Sequence, residues 1–347
     1  MTSPAQIYDK LLPERSAWRS VADGGDVDGK AGLTLRLSEA HLAALDEILA
    51  RSRGRKTEDI TRADFSHPAL DPFLADVARE IRAGKGVAII EGCTPARHSD
   101  DDMARVFWGV GLHLGLALPQ TAAGDRIDHI RDSGYNPTGR ERPRTQYGNG
   151  ELLLHTDNAS GEILGLMTLQ TAKSGGVSRV ASSLAVHNEI LSRRPDLMPA
   201  LYKGYPYHRK GRQPLGEPDI APFDTPVFCN IDGHVSCRYV RNFMMLTAKE
   251  RGEPLPPDLE EALDFFDAIK TRPSFGVEFV LERGEMLFLS NLTCLHARTE
   301  FEDYPEPERR RHLLRLWLKA LPQGRPFDPR MDMFYGSKID HSAPALL

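Results

Sequence analysis

The chain has 347 residues, 40% hydrophobic and 27% charged, with a net charge of −5 and a pI near 6.2. That balance excludes a large nucleic-acid footprint, which needs clustered excess Lys and Arg. No stretch approaches the 18 or more apolar residues of a membrane span, and four cysteines without a C-x-x-C pair do not form a disulfide framework. In chain order, "MTSPAQIYDKLLPERSAW" carries charges where a signal peptide needs an apolar run. A reducing, cytoplasmic compartment is the expectation. Residues 35–52 have leucines at helical spacing with Ser38 as cap, and 70–83 form a second amphipathic helix. "GKGVAIIEG" (84–92) reads as a buried strand, and 98–115 as a helix opened by a capping cluster.

From residue 125 the texture changes. Short apolar runs alternate with Gly, Pro, Asn and Asp: "DHIRDSG", "ELLLHTD", "ILGLMTLQTA", "TPVFCNIDGHVSCRYV", "GVEFVLERGEMLFLSN" and "HLLRLWLKAL". These are strands separated by turns, interrupted by helices over 181–194 and 258–271. The Pro- and Gly-rich stretch 205–226 reads as a long loop, of the kind that often covers a site. Many short strands with few helices imply a sandwich, jelly roll or barrel: mainly β with flanking helices. The expected organisation is one catalytic domain. A mainly helical part (1–83) packs on a core of about 84–321, and 322–347 form a C-terminal extension.

"ELLLHTDNAS" (151–160) ends an apolar strand on His155 and Asp157. On a strand, residues two apart share a face, so both side chains can reach one cation. The chain repeats this pattern elsewhere, and local structure separates the copies. His98-Ser99-Asp100 stands where a helix is capped, and His187-Asn188-Glu189 lies within a helix, where residues two apart diverge. A facial iron site needs a third protein ligand. His296 ends an apolar segment that follows the turn Arg283-Gly284-Glu285. Fifteen residues further on, Arg311, Leu313, Arg315 and Trp317 share one face of the last strand. A buried guanidinium needs an anion, and Arg binds carboxylates bidentately. That anion is either a ligand or an acidic residue of the protein itself.

This arrangement resembles the taurine dioxygenase (TauD/TfdA) family of Fe(II)- and 2-oxoglutarate-dependent dioxygenases. Its elements are His-x-Asp after a strand, a distant His after a Gly-Glu turn, and Arg-x-x-x-Arg beyond it. The resemblance runs from "GKGVAIIEG" to "RLWLKAL" and includes "AKSGGVSRVASSLAVHNEIL" and "HARTEF". It implies a double-stranded β-helix (jelly roll), with His155, Asp157 and His296 as iron ligands. Arg311 and the hydroxyl of Ser178, which replaces the family's usual Thr, would bind 2-oxoglutarate. Arg315 would bind the cosubstrate or a substrate anion. The chemistry implied is oxidation of an unactivated C–H bond by O2, most often hydroxylation, with release of succinate and CO2. The carboxylate at 157 opposes halogenation, because family-like halogenases lack it.

Glu151 shares the strand face of His155 on a count by twos, and its family position borders the substrate pocket. A carboxylate there suits an ammonium group; the other reading is that the strand starts at 152 and Glu151 is solvated. With Arg315 such a carboxylate implies a small amino-acid-like, betaine-like or other zwitterionic or carboxylate substrate. Tyr147, with Tyr135, Arg142, Arg144 and Gln146, precedes the metal strand as a lid rich in anion-binding groups or as a solvated loop. Arg298 reads as a salt bridge stiffening its turn, Cys294 as a core residue, and His113, His129 and His234 as structural. Two other readings of the residues stay open. One is a zinc or manganese hydrolase or isomerase; the other is a non-catalytic jelly-roll protein that holds a carboxylate. A homo-oligomer is compatible with everything above.

Overall fold

The structure is a computed structural model, which describes residues 6–21, 24–120, 124–132, 147–157, 160–210, 213, 216–321 and 323–332. Two sheets face each other. The larger contains β1 (Thr34–Arg36), β2 (Val87–Glu91), β3 (Gly115–Ala117), β4 (Asp128–Ile130), β6 (Ile163–Gln170), β12 (Met286–Ser290) and β15 (His312–Ala320). Its order is β1-β2-β12-β6-β15-β3, with β4 also on β15, and only the β1–β2 pair is parallel. The smaller sheet has the order β11-β8-β13-β5, built from β5 (Leu152–His155), β8 (Ser178–Ser182), β11 (Gly276–Phe279) and β13 (Cys294–Arg298).

The two-residue repeat sorts each strand between two cores. Val87, Ile89, Leu287 and Leu289 point inward, where they meet Val180, Val277, Phe279 and Cys294 of the smaller sheet. Their neighbours Ala88, Ile90, Met286 and Phe288 point outward. There they pack under α1 (Glu39–Ser52), α2 (Asp71–Ala83) and α3 (Asp100–Leu114). Ser38 and Ser99 cap α1 and α3 through capping boxes. On the other side, Leu154, Ala181 and Leu295 join α4 (Ser183–Arg193), α5 (Met198–Lys203), α6 (Arg241–Arg251) and α7 (Pro257–Lys270). The architecture is the mainly β jelly roll with flanking helices that the sequence implies.

Two expectations need correction. Among the described residues four helices, not two, interrupt the strands: α5 and α6 are added, α5 being short and α6 ("RNFMMLTAKER") carrying Phe243, Met244, Met245 and Leu246 in an unbroken run rather than at helical spacing. The described residues of the 205–226 stretch form a loop, but not a free flap. Isolated bridges Tyr205↔Thr225 and His208↔Ile220 tie it down, and Tyr205 and Tyr207 are buried. β7 (Ser174–Gly175) pairs with β14 (Phe301–Glu302), and a hairpin joins β9 (Phe228–Ile231) to β10 (His234–Cys237). Its turn residues Asp232 and Gly233 have φ of 51° and 81°, as a type I′ turn requires. Among the described residues no helix is long and apolar enough to cross a membrane.

Candidate metal centre

β5 and β13 are antiparallel neighbours, and their register sets His155 directly opposite His296. Because Leu154 and Leu295 face the helices, both imidazoles face the space between the sheets. Their ring centroids are 4.4 Å apart. Asp157 follows β5, and its Oδ1 lies 3.7 Å from Nε2 of His155 and 3.5 Å from Nε2 of His296. Ligand atoms of all three residues lie within 4.8 Å of one another. Nδ1 of His155 meets the Leu153 carbonyl at 2.7 Å, a contact only an N–H can make, so the Nε2 lone pair is left for a cation. Burial and the neighbouring His296 push the His155 imidazole down to about 4, which keeps it a neutral donor. Burial alone would raise the Asp157 carboxyl. The hydrogen bond from His296 and the charge of Arg315 overcome this and hold it well below its usual range. Two imidazoles and one carboxylate in this geometry fit Fe(II) with one face open.

The main chain at Asp157 is also pinned. Its N–H donates to Oδ1 of Asn291 at 2.7 Å, and its carbonyl accepts from Asn291 Nδ2 at 3.1 Å and from Arg238. The Thr156 N–H donates to the Tyr239 carbonyl, and the Tyr239 N–H donates to the Thr156 hydroxyl, both at 3.0 Å. Lys270, buried on α7, donates to the Leu154 carbonyl at 3.0 Å. Sequence reasoning missed Asn291, Arg238 and Lys270. Their only signal was a polar side chain in an apolar context.

Arg311 and Ser178 line one cavity of about 310 Å³. Gly175 and Gly176, with φ of 72° and 66°, turn the chain into β8 and so deliver Ser178. A Cβ on Gly175 would come within 2.3 Å of the Glu300 carbonyl. In β8, Ser178 pairs with Arg298 and Val180 with His296, so the cavity adjoins the metal centre along the sheet. Arg311 is 7% exposed, and its guanidinium lies 5.0 Å over Phe301, which also carries Arg298 at 4.6 Å. Among the described residues no carboxylate meets the Arg311 guanidinium. Burial, with help from Arg298, pushes its pKa down to about 9. A buried cation beside a hydroxyl and an open volume suits the free carboxylate of a dicarboxylic acid.

Arg315 has different surroundings. Its Nε donates to Gln120 Oε1 and one terminal nitrogen to Asp128 Oδ2, both at 2.8 Å, while the other lies 3.5 Å from Asp157 Oδ2. Tyr147 donates its hydroxyl to the same Asp128 at 2.9 Å. Arg315 is therefore held by the protein's own carboxylate, the alternative left open for the arginine strand. Tyr147 thus meets Asp128, which in turn pairs with Arg315 beside the centre. Trp317, on the same strand face, donates Nε1–H to Asp157 Oδ2 at 2.6 Å.

Glu151 lies elsewhere. β5 begins at Leu152, and Glu151 is exposed before it. Leu152 pairs with Arg298 while His155 pairs with His296, three residues against two, so a bulge intervenes. Counting by twos across that bulge fails, and Leu153 is 69% exposed. Arg298 forms no salt bridge among the described residues; it donates to the carbonyls of Gly148 and Gly150 and anchors the approach to β5. Tyr135, Arg142, Arg144 and Gln146 lie outside the described residues. The decoys are structural: Ser99 caps α3, and His187 is buried 3.0 Å from the Tyr202 hydroxyl. His129, read as structural, contacts His312 at 2.8 Å.

A second cluster, His208, Asp219 and Glu250, also gathers ligand atoms within 4.8 Å. There Nδ1 of His208 accepts the Lys210 N–H at 2.8 Å, so Nε2 carries the proton and donates to Glu250, also at 2.8 Å. That is the opposite tautomer from His155. A cation at Nε2 would have to displace this proton.

Comparison with known proteins agrees with the geometry. The family model described as "Taurine catabolism dioxygenase TauD, TfdA family" matches residues 37–317. The chain is 30% identical to the FR-33289 synthase of Streptomyces rubellomurinus over 327 residues, 93% of this chain and 94% of that one. It is 31% identical to the taurine hydroxylase-like protein SAT17 of Stachybotrys chartarum over 317 residues, 88% of this chain and 79% of that one. Among solved structures, asparagine oxygenase in complex with Fe(II), hydroxyasparagine and succinate superposes with a TM-score of 0.61 at 19% identity, covering 82% of this chain and 93% of that one.

Proposed function

The chain belongs to the taurine catabolism dioxygenase TauD, TfdA family, and from that premise we propose that it hydroxylates a small, amino-acid-like zwitterion. It is an Fe(II)- and 2-oxoglutarate-dependent oxygenase, so the non-redox and non-catalytic readings give way. When bound, Fe(II) with 2-oxoglutarate and O2 supplies the oxidant for an unactivated C–H bond, releasing succinate and CO2. The protein's part is to hold and orient. His155, Asp157 and His296 would hold the metal. Arg311 and Ser178 would hold the far carboxylate of the cosubstrate. Arg315 and Asp128 would face the substrate.

The observation that carries the cosubstrate assignment is the buried Arg311 guanidinium, which forms no ion pair among the described residues (Asp303 accepts the main-chain N–H) and lines a cavity shared with Ser178. The substrate class rests on the Arg315–Asp128 pair. A wall that presents both signs suits a zwitterion better than a plain anion, whose charge Asp128 would oppose. Asparagine oxygenase, whose complex holds a hydroxylated amino acid, has the same fold. Asp128 thus takes the ammonium-facing role that Glu151 is too exposed to fill.

The test is to load the protein with Fe(II), add carboxyl-labelled 2-oxoglutarate under air and measure CO2 release, with Arg311→Ala as control. A panel of small amino acids, betaines, sulfonates and aryloxy acids follows. Stimulation by amino acids above simple sulfonates is expected. Stimulation by monoanions alone would refute the substrate class, and no release with any compound would refute the cosubstrate assignment.

A further inference from the structure

Asp157 has two carboxylate oxygens, and the structure treats them differently. Oδ1 faces Nε2 of both histidines, at 3.7 and 3.5 Å. Oδ2 points to the opposite sheet, where it accepts the Trp317 indole N–H at 2.6 Å, with an Arg315 nitrogen 3.5 Å away. Asn291 and Arg238 are bonded to the main chain of Asp157. The short contact that distinguishes the two oxygens comes from Trp317.

The indole is itself held. The Arg315 guanidinium stacks over it at 4.3 Å, and Gln120 and Asp128 fix that guanidinium at 2.8 Å each. An indole N–H only donates, so this contact cannot invert. On the other side of the carboxylate, β5 and β13 fix the histidines. The carboxylate is therefore clamped between a donor from the larger sheet and the cation position of the smaller one.

We propose that Trp317 is a positioning residue that holds Asp157 as a one-oxygen ligand. This inference rests on the metal centre assigned above. A carboxylate free to turn could bind through both oxygens and fill a second of the six positions around the metal. The facial arrangement needs three positions open, for the two donor atoms of 2-oxoglutarate and for O2. Committing Oδ2 to Trp317 keeps the third open. Outer-shell donors of this kind typically change metal affinity 10–100-fold when removed.

The test is Trp317→Phe, which keeps an aromatic ring under Arg315 and removes the N–H. Mn(II) affinity is measured by anaerobic calorimetry on the full chain, alongside the melting temperature of the metal-free protein. Affinity at least tenfold weaker with metal-free melting unchanged is the expected result; affinity within twofold of wild type overturns the proposal. If the variant folds poorly, the wild type decides. The three tryptophans give three indole N–H resonances. Zn(II) binding should move that of Trp317 and leave those of Trp18 and Trp108, which donate to the Lys85 and Ile60 carbonyls. An unmoved Trp317 resonance overturns the proposal. If His155→Ala binds Mn(II) as tightly as wild type, the metal-centre assignment has failed instead.

Discussion

Replacing Arg311 with Leu should stabilise the metal-free protein while destroying its response to 2-oxoglutarate. Arg311 is 7% exposed, its guanidinium meets no carboxylate among the described residues, and burial pushes its pKa far down, to about 9. At about 1.4 kcal/mol per pH unit, that displacement corresponds to a penalty of at most about 5 kcal/mol for holding the charge at neutral pH. A leucine removes the charge and restores apolar packing against Phe301. A gain of about 3 kcal/mol is expected once water in the cavity is allowed for. For 347 residues, an unfolding entropy near 2.1 cal/mol/K per residue gives about 0.7 kcal/mol per degree, so the melting temperature should rise by about 4 °C. Wild type with Mn(II) and 2-oxoglutarate at about 100 times its Kd should gain about 2.7 kcal/mol, again about 4 °C. Differential scanning fluorimetry of both proteins, with and without 2-oxoglutarate, reads both effects. A variant that melts several degrees below wild type would show the guanidinium to be a structural pair. A variant that keeps the 2-oxoglutarate shift would place the cosubstrate elsewhere.

Other expectations follow from the same geometry. Arg315→Met leaves Asp128 buried without its cation and should cost about 3–5 kcal/mol in urea unfolding, whereas Arg315→Met with Asp128→Leu should recover most of it; equal costs would refute the pairing. Asp157→Ala should abolish Mn(II) binding by calorimetry, and retained binding would refute the triad. His187 and His312 are pushed down to about 4 and about 3, first by burial. Below pH 6.5 the unfolded chain binds protons that these folded imidazoles refuse, so stability falls as pH drops from 6.5 towards 4, by about 1.4 kcal/mol per unit for each. His187→Phe should lessen that slope in urea midpoints measured across the window, and an unchanged slope would contradict the assignment. Glu151→Ala, at an exposed position before the strand, should leave kcat/KM unchanged; a large loss would restore it as a substrate contact.

Much of the centre was legible from local pattern. A strand's two-residue repeat identified Arg311, Leu313, Arg315 and Trp317 as one face, and capping and helical periodicity explained the spurious His-x-Asp and His-x-Glu pairs. Short-range stereochemistry suffices for such statements, because neighbours in sequence are neighbours on a strand or helix. It failed at β5, where one extra residue opposite Arg298 and His296 shifted the count and left Glu151 in solvent. A bulge depends on the partner strand, and no local pattern announces it.

Residue types and their order thus determined the family and the mainly β jelly roll with its flanking helices. Tertiary structure alone decided which charges are answered from within. Asp128 comes from a short strand 187 positions before Arg315, yet it meets that guanidinium, while the Arg311 guanidinium meets no carboxylate among the described residues. The physical reason is that pairing energies depend on distance and burial, which only the packed sheets define. The same packing set the histidine tautomers. A carbonyl behind His155 frees its outer nitrogen for a metal, and an amide behind His208 does not.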